Sequence, residues 1–415
     1  MTEAGTSDGE KLTPGPTVGP RPLDGMRVIE LGQILAGPFA ATLLGYFGAE
    51  IIKIEPPGRG DPIRNWRITR NGTSLWWWSH ARNKKSVTVD LKREAGQQVV
   101  RDLLPHADVL IENFRPGQME KWNLGPETAR ALNPALIYSR VSGYGQTGPY
   151  AHRPGFASVC EGFGGMRYVN GYPGEIPVRA NLSIGDTLAG MHAAFGILLA
   201  YIHRMKTDGG GGQLVDVSIF ESVFNMMEGV VPEYSGAGVV REPSGSTITG
   251  IVPSNTYRCR DGKLIVIGAN TDSMYTRLMQ AIGRDDLATD PALADNAGRA
   301  GEQARIDSAI SDWAGTVDGD AALALLESAA VAAGPIYNVE QMFADPQYQA
   351  RGLFERVRVD GEALDIPAIV PKLSETPGRT DWPGPTLGEH TDEVLRSLLR
   401  YDSSHIATLR ADGVL

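Results

Sequence analysis

The sequence predicts an α/β fold, a doubly wound and mostly parallel sheet followed by a smaller α+β unit, on three observations. Short apolar runs alternate with segments of helical periodicity from Leu23 to about Tyr144. Such alternation implies βαβ units with right-handed crossovers. Each apolar run ends in a Gly-, Pro- or Asn-containing segment, at Gly32 to Pro38, Pro56 to Asp61, Asn113 to Gly117 and Ser142 to Pro149. Beyond about Ser235 the composition changes to a hinge-like loop and then a hairpin with Ala-rich helices.

The elements follow in order. MRVIEL is a strand, AGPFAATLLGYFGAE a helix and EIIKIE a second strand ending at Pro56, which is one βαβ unit. KKSVTVDL, REAGQQVVRDLLPHA and DVLIENF repeat the pattern, and PETARALN leads to the strand ALIYSRVSGYG. A long helix is expected from about Thr187 to Arg204, then a glycine-rich linker, the strand QLVDVS and the helix IFESVFNMMEG. NTYRCRDGKLIVIGA reads as a hairpin turning at Asp261-Gly262. LGEHTDEVLRSLL opens a final helix.

Composition narrows the function. The 415 residues carry 39 basic and 49 acidic side chains, net −10, which speaks against a non-specific nucleic-acid binder. Two cysteines, Cys160 and Cys259, make no disulfide framework and have no zinc-ligand spacing, so no metal is expected. No uninterrupted apolar run reaches the ~18 residues of a spanning helix. The first 22 residues lack a signal-peptide apolar region and read as a disordered tail. The expected location is the cytoplasm, with no membrane partner. Fifty glycines, about 12% against the usual ~7%, imply many tight turns.

The common nucleotide-loop, hydrolase and metalloprotease motifs are absent. Asp186 follows Gly185 and precedes the long apolar helix. It reads either as an N-cap or as an ionised carboxylate nucleophile beside small residues that leave room for a bulky thioester. Gly209 to Gln213 is either an anion cradle or a helix-terminating turn. Arg82 to Lys85, with Arg59, Arg64, Arg115 and Lys121, is either a solvated face or a phosphate-binding rim. Ala36-Gly37-Pro38 opens the first crossover helix, whose N-terminus can hold a pyrophosphate.

In sequence order, VIELGQILAGPFAATLLGYFGAEIIKIEPPGRGDPIRNW, RNKKSVTVDLK, ENFRPGQMEKWNLG, IYSRVSGYGQTGPY, SIGDTLAGMHAAFGIL and LGEHTDEVL resemble the family III CoA-transferases, collinearly from about Leu23 to the C-terminus. The resemblance implies an interlocked, ring-like homodimer with a Rossmann-like large domain built from both chain ends. It places a tail at 1–22, the first part of the large domain at 23–235, a small domain at 245–365 and the returning segment at 366–415. Asp186 becomes the catalytic aspartate, forming an acyl anhydride and then an aspartyl-CoA thioester. Coenzyme A, as acyl carrier, is implied to contact Leu35, Ala36, Val89, Asp90, Leu91, Lys92, Asn113, Phe114, Arg115 and Lys121. The substrates are an acyl-CoA donor and a carboxylic acid acceptor.

Three departures set formyl/oxalate chemistry aside. Leu35 stands where formyl-CoA transferases have Gln, and Ala157 where they have a carboxylate. GIVPSNTY also replaces their mobile glycine-rich loop. VRANLSIGD and the C-terminal segment are closer to the succinyl-CoA-dependent branch, in which Arg179 either holds the second carboxylate of a dicarboxylic substrate or forms a structural salt bridge. Two other readings stay open. An α-methylacyl-CoA racemase needs the His and Asp that GFASVC lacks, and a non-catalytic acyl-CoA-binding protein would have no use for Asp186.

Overall fold

The computed structural model describes residues 19–207 and 210–415. The expected tail lies outside these residues up to position 18. Residues 19–22 are not a loose end, because Arg21 pairs with Asp381 at 2.7 Å and Leu23 N–H bonds Phe47 O at 3.0 Å.

The chain divides into two compact units. The first contains residues up to Pro154, Asp186–Ser218 and Leu353–Leu415; the second contains Gly155–Gly185 and Ile219–Gly352. These boundaries differ from those expected at 235, 245 and 365. Residues 155–185 and 219–235 belong to the second unit because the helices Ala157–Phe163 and Ile219–Phe224 pack together, with Gly164 so close to Phe220 O that a Cβ would sit 2.8 Å away. Residues 353–365 belong to the first, since the hairpin Phe354–Val359/Glu362–Pro367 buries Val357, Val359 and Ile366 against Trp77 and Trp78.

The first unit is built on a six-stranded, all-parallel sheet of β1 (Arg27–Glu30), β2 (Glu50–Glu55), β3 (Lys84–Thr88), β4 (Val109–Glu112), β5 (Ile137–Ser142) and β6 (Leu214–Ser218). Its order is β3-β2-β1-β4-β5-β6. Strands β1, β2, β4 and β5 are buried along almost their whole length because both faces of the sheet are covered. On one face Val99, Val100 and Leu103 of α1 (Glu94–Leu103) join Val394, Leu395, Ile406 and Leu409 of the C-terminal helices in one core. The strand order reverses between β1 and β4, where open α/β sheets bind ligands beyond the carboxyl ends.

The long helix runs Ile184–Lys206, three residues earlier at its start than the sequence suggests, and is called α2 here. Its buried side carries small residues, Ala189, Ala193 and Ala200, and Gly190 approaches Ala36 O so closely that a Cβ would lie 2.8 Å away. Its other side exposes Met191, Phe195, Leu199, Ile202 and Met205. By length and mean hydropathy, 1.2 over 18 residues, it could cross a membrane, although 39% of that window is buried in the protein. The requirement for an uninterrupted apolar run had set it aside.

The second unit is α+β. Ser254–Arg258 and Leu264–Gly268 form the expected hairpin, with Gly262 in the left-handed region, and Ala333–Pro335 adds a third antiparallel strand. Helices Asp272–Ala281, Gln303–Ala314 and Gly319–Ser328 close its core through Tyr275, Leu278, Ile306, Ile310 and Leu326.

Candidate active site

The loop after β1 is held from three directions. Asn113, just past β4, donates from Nδ2 to Gln33 O at 2.8 Å and accepts Gln33 N–H on Oδ1 at 2.8 Å. Gly32 lies against it, where a Cβ would sit 3.1 Å from Asn113 Oδ1. Ile34 adopts φ 68°, unusual for a β-branched residue, and its N–H bonds both carboxylate oxygens of Asp61 at 3.0 and 3.1 Å. Asp61 also accepts Ile63 N–H, so its carboxylate ties two loops together.

Beneath this loop lies a buried ionic lattice. Lys53 Nζ sits 2.7 Å from Glu30 and 2.8 Å from Asp61, and donates to Gly32 O at 2.9 Å. Lys84 Nζ pairs with the other oxygen of Glu30 and donates to Pro38 O, each at 2.7 Å. Glu55 accepts from Arg64 twice at 2.8 Å and from Ser86 at 2.6 Å. Three carboxylates thus face three cations, all buried, which is the condition under which buried charge is tolerated. Burial alone would push Glu55 and Asp61 up; the hydrogen bonds and charges of Arg64 and Lys53 outweigh it and hold both below the usual range. Burial pushes Lys84 down to about 8. His80, buried beside Lys84 and Lys53, is held neutral well below 6.5.

The expected phosphate rim is therefore split. Arg64, Arg82 and Lys84 are buried in ion pairs and carbonyl bonds, and Lys85 pairs with Glu50 and Glu393. Strand alternation puts Lys84 and Lys85 on opposite sides. Arg59, Lys92, Arg115 and Lys121 remain exposed, with no carboxylate within 4 Å among the described residues. They follow β2, β3 and β4, all at the carboxyl edge of the sheet.

The other expected contacts are placed less directly. Leu35, Ala36 and Val89 are buried, so only their main chain can meet a ligand. Asp90 accepts Lys92 N–H at 3.0 Å and its own N–H bonds Val414 O at 2.8 Å, a turn-forming role. Leu91 is half-buried against the core, and Phe114 packs edge-on to Trp122 at 5.0 Å. The glycine run falls partly outside the described residues. Gly212 donates to Pro134 O at 2.7 Å and a Cβ there would meet Leu136 O at 1.9 Å, which accounts for this glycine as a close-packed turn.

Asp186 lies in the first turn of α2, inside the helix and not at its cap. Gly185, immediately before it, donates its N–H to Glu161 Oε1 at 3.2 Å. Glu161, on the helix Ala157–Phe163, is buried, and Arg167 and Arg179 lie 3.4 and 3.5 Å from its Oε2. Sequence reasoning missed Glu161. Its signal was a lone carboxylate one helical turn after Ala157, in an otherwise apolar and small run.

The sequence profile of CoA-transferase family III matches residues 23–391. The chain belongs to this family. It is similar to the succinyl-CoA–D-citramalate CoA-transferase of Chloroflexus aurantiacus, 46% identical over 398 residues that cover 95% of this chain and 98% of the relative. A succinyl-CoA–L-malate CoA-transferase alpha subunit from the same species is 41% identical over 407 residues, 97% of this chain and 95% of the relative. Among solved structures, a CAIB/BAIF family protein from Brucella suis superposes with a TM-score of 0.81 at 32% identity, covering 92% of this chain and 100% of that one. The protein is thus a CoA-transferase with CoA as substrate, on a mixed α/β fold with a parallel central sheet. The described residues place four exposed cations at the carboxyl edge of the sheet and a carboxylate in the first turn of α2.

Proposed function

We propose that this CoA-transferase moves CoA from succinyl-CoA to a carboxylic acid acceptor, with Asp186 as nucleophile. The observation that carries the reading is the half-buried Asp186 in the first turn of a 23-residue helix, at the end where the helix dipole favours negative charge. Its carboxylate attacks the succinyl thioester, forming a mixed anhydride and releasing CoA thiolate. The thiolate attacks the aspartyl carbonyl, which forms the aspartyl-CoA thioester and frees succinate. The acceptor carboxylate then displaces the thiolate to give a second anhydride. Attack of the thiolate on the acceptor's acyl carbon releases the new acyl-CoA and restores Asp186. Enclosure from water keeps the anhydrides from hydrolysis.

The succinyl donor is supported by the names of the two relatives, both succinyl-CoA-dependent. The CoA phosphates are assigned to Arg59, Lys92, Arg115 and Lys121, and Asn113 positions the loop that CoA lies along. The exposed apolar stripe of α2, Met191 to Met205, supports a homodimer in which a second copy covers it.

Incubation with succinyl-CoA and hydroxylamine, followed by peptide mass spectrometry, should find the adduct on Asp186. Asp186→Ala should lose the adduct and at least ~10³-fold in transfer rate. CoA transfer persisting in that variant would sink the nucleophile assignment.

A further inference from the structure

We infer that Arg179, together with Arg167 and Glu161, forms an anion subsite for the second carboxylate of a dicarboxylic acyl group or acceptor. The inference rests on the CoA-transfer reading above and adds what selects the acid.

The three side chains are not saturated. Glu161 is 3% exposed; one oxygen takes Gly185 N–H and the other is shared between two guanidinium groups at 3.4 and 3.5 Å. Arg167 makes one short bond, to Ser158 Oγ at 3.0 Å. Arg179, with a 40% exposed side chain, touches Glu161 through Nε as an ion pair and makes no hydrogen bond among the described residues. Two positive charges against one negative leave the cluster at +1, and one further carboxylate balances it.

A structural arginine in this protein looks different. Arg299 is fully buried and donates to Val252 O, Leu293 O, Asn270 O and Asp272 at 2.7 to 3.2 Å. Arg179 instead keeps its planar fork available, the geometry that binds a carboxylate by two parallel bonds.

The space and its place in the chain fit. A cavity of about 30 Å³ is bounded by Glu161, Arg167, Arg179, Asn170, Val178 and Ile184. That is room for roughly two water-sized groups, the count of oxygens in a carboxylate. Glu161 Oε1 accepts the N–H of Gly185, the residue before Asp186, which ties the cluster to the start of the helix that carries the carboxylate. A methyl group in this cavity would leave the cluster's remaining positive charge unbalanced, so a carboxylate there should be preferred.

Succinyl-CoA and butyryl-CoA have the same chain length and differ by a carboxylate against a methyl. With the full chain, kcat/KM for the two donors should favour succinyl-CoA. Arg179→Gln should reduce that ratio on the order of 10- to 100-fold, and Arg179→Lys should recover part of it. A ratio unchanged in Arg179→Gln, even with a lowered melting temperature, would assign the arginine to folding alone and overturn the subsite. So would a wild-type protein with no preference. Should Arg179→Gln fail to fold, Arg167→Gln and Arg179→Lys carry the same comparison. Should wild-type protein move CoA from neither donor, the donor reading fails by itself; calorimetric binding of free succinate against butyrate then decides the subsite, and equal binding overturns it.

Discussion

The two ionic clusters of this protein contain similar residues and differ in almost everything else. In the first unit, Glu30, Lys53, Glu55, Asp61, Arg64 and Lys84 are buried, their separations lie at 2.7 to 2.8 Å, and opposite charges match three to three. In the second unit, Glu161, Arg167 and Arg179 meet at 3.4 to 3.5 Å, one arginine is well exposed, and a positive charge is left over. Saturation separates scaffold from receptor. A charge whose partners are all internal fixes backbone, here the Gly32 to Leu35 loop, while a charge with unused donors is free to take a ligand.

The strongest way to break this contrast is Lys53→Met. It leaves Glu30 and Asp61 facing each other without their shared cation and should cost about 3 to 5 kcal/mol in urea unfolding, where Arg179→Gln changes selectivity more than stability. Equal losses from both would erase the distinction. A second test uses acid. His80 is buried and held below 6.5, so as pH falls through 6.5 the unfolded chain takes up a proton that the native chain refuses. Stability should fall by up to about 1.4 kcal/mol per pH unit there, and His80→Gln should flatten that slope. Below about 4.5 the lowered carboxyls Glu55 and Asp61 add to the loss in both proteins, since they too are protonated first in the unfolded chain. The smallest effect belongs to the exposed cations. Arg115→Glu or Lys121→Glu should raise KM for the CoA substrate about 2- to 5-fold at low salt, less at high salt, and leave stability within ~0.5 kcal/mol.

Much of the first unit was legible because the strands within VIEL, EIIKIE and VLIE are short apolar-rich runs that stop at Gly, Pro or Asn. Their chemistry was less so. A lysine in the middle of EIIKIE looks like a residue facing water, and only the pairing of β1 with β2 shows Glu30 opposite Lys53. The run Arg82 to Lys85 suggested one basic patch, but consecutive strand residues point to opposite faces. The helix start was misjudged for a different reason. Local sequence left Asp186 as either a cap or a nucleophile; it lies inside the first turn, and the N–H of Gly185 before it is taken by Glu161, 24 residues earlier on another helix, a contact that no local pattern encodes. The unit boundaries were hidden in the same way, since composition does not report which distant segments pack together.

Arg82 has a consequence for how the chain comes to be folded. Its guanidinium is 2% exposed, and apart from Ser79 its partners are Glu355, Pro367 O and Thr380, some 270 to 300 positions later. A nascent chain that has reached only residue 350 holds the complete sheet and none of these acceptors. It must keep that charge in water, and with it the end of the helix Leu75–His80. The first unit therefore completes its packing only after the whole of the second has been synthesised, because Val357, Val359 and Ile366, which pack against Trp77 and Trp78, lie beyond residue 352.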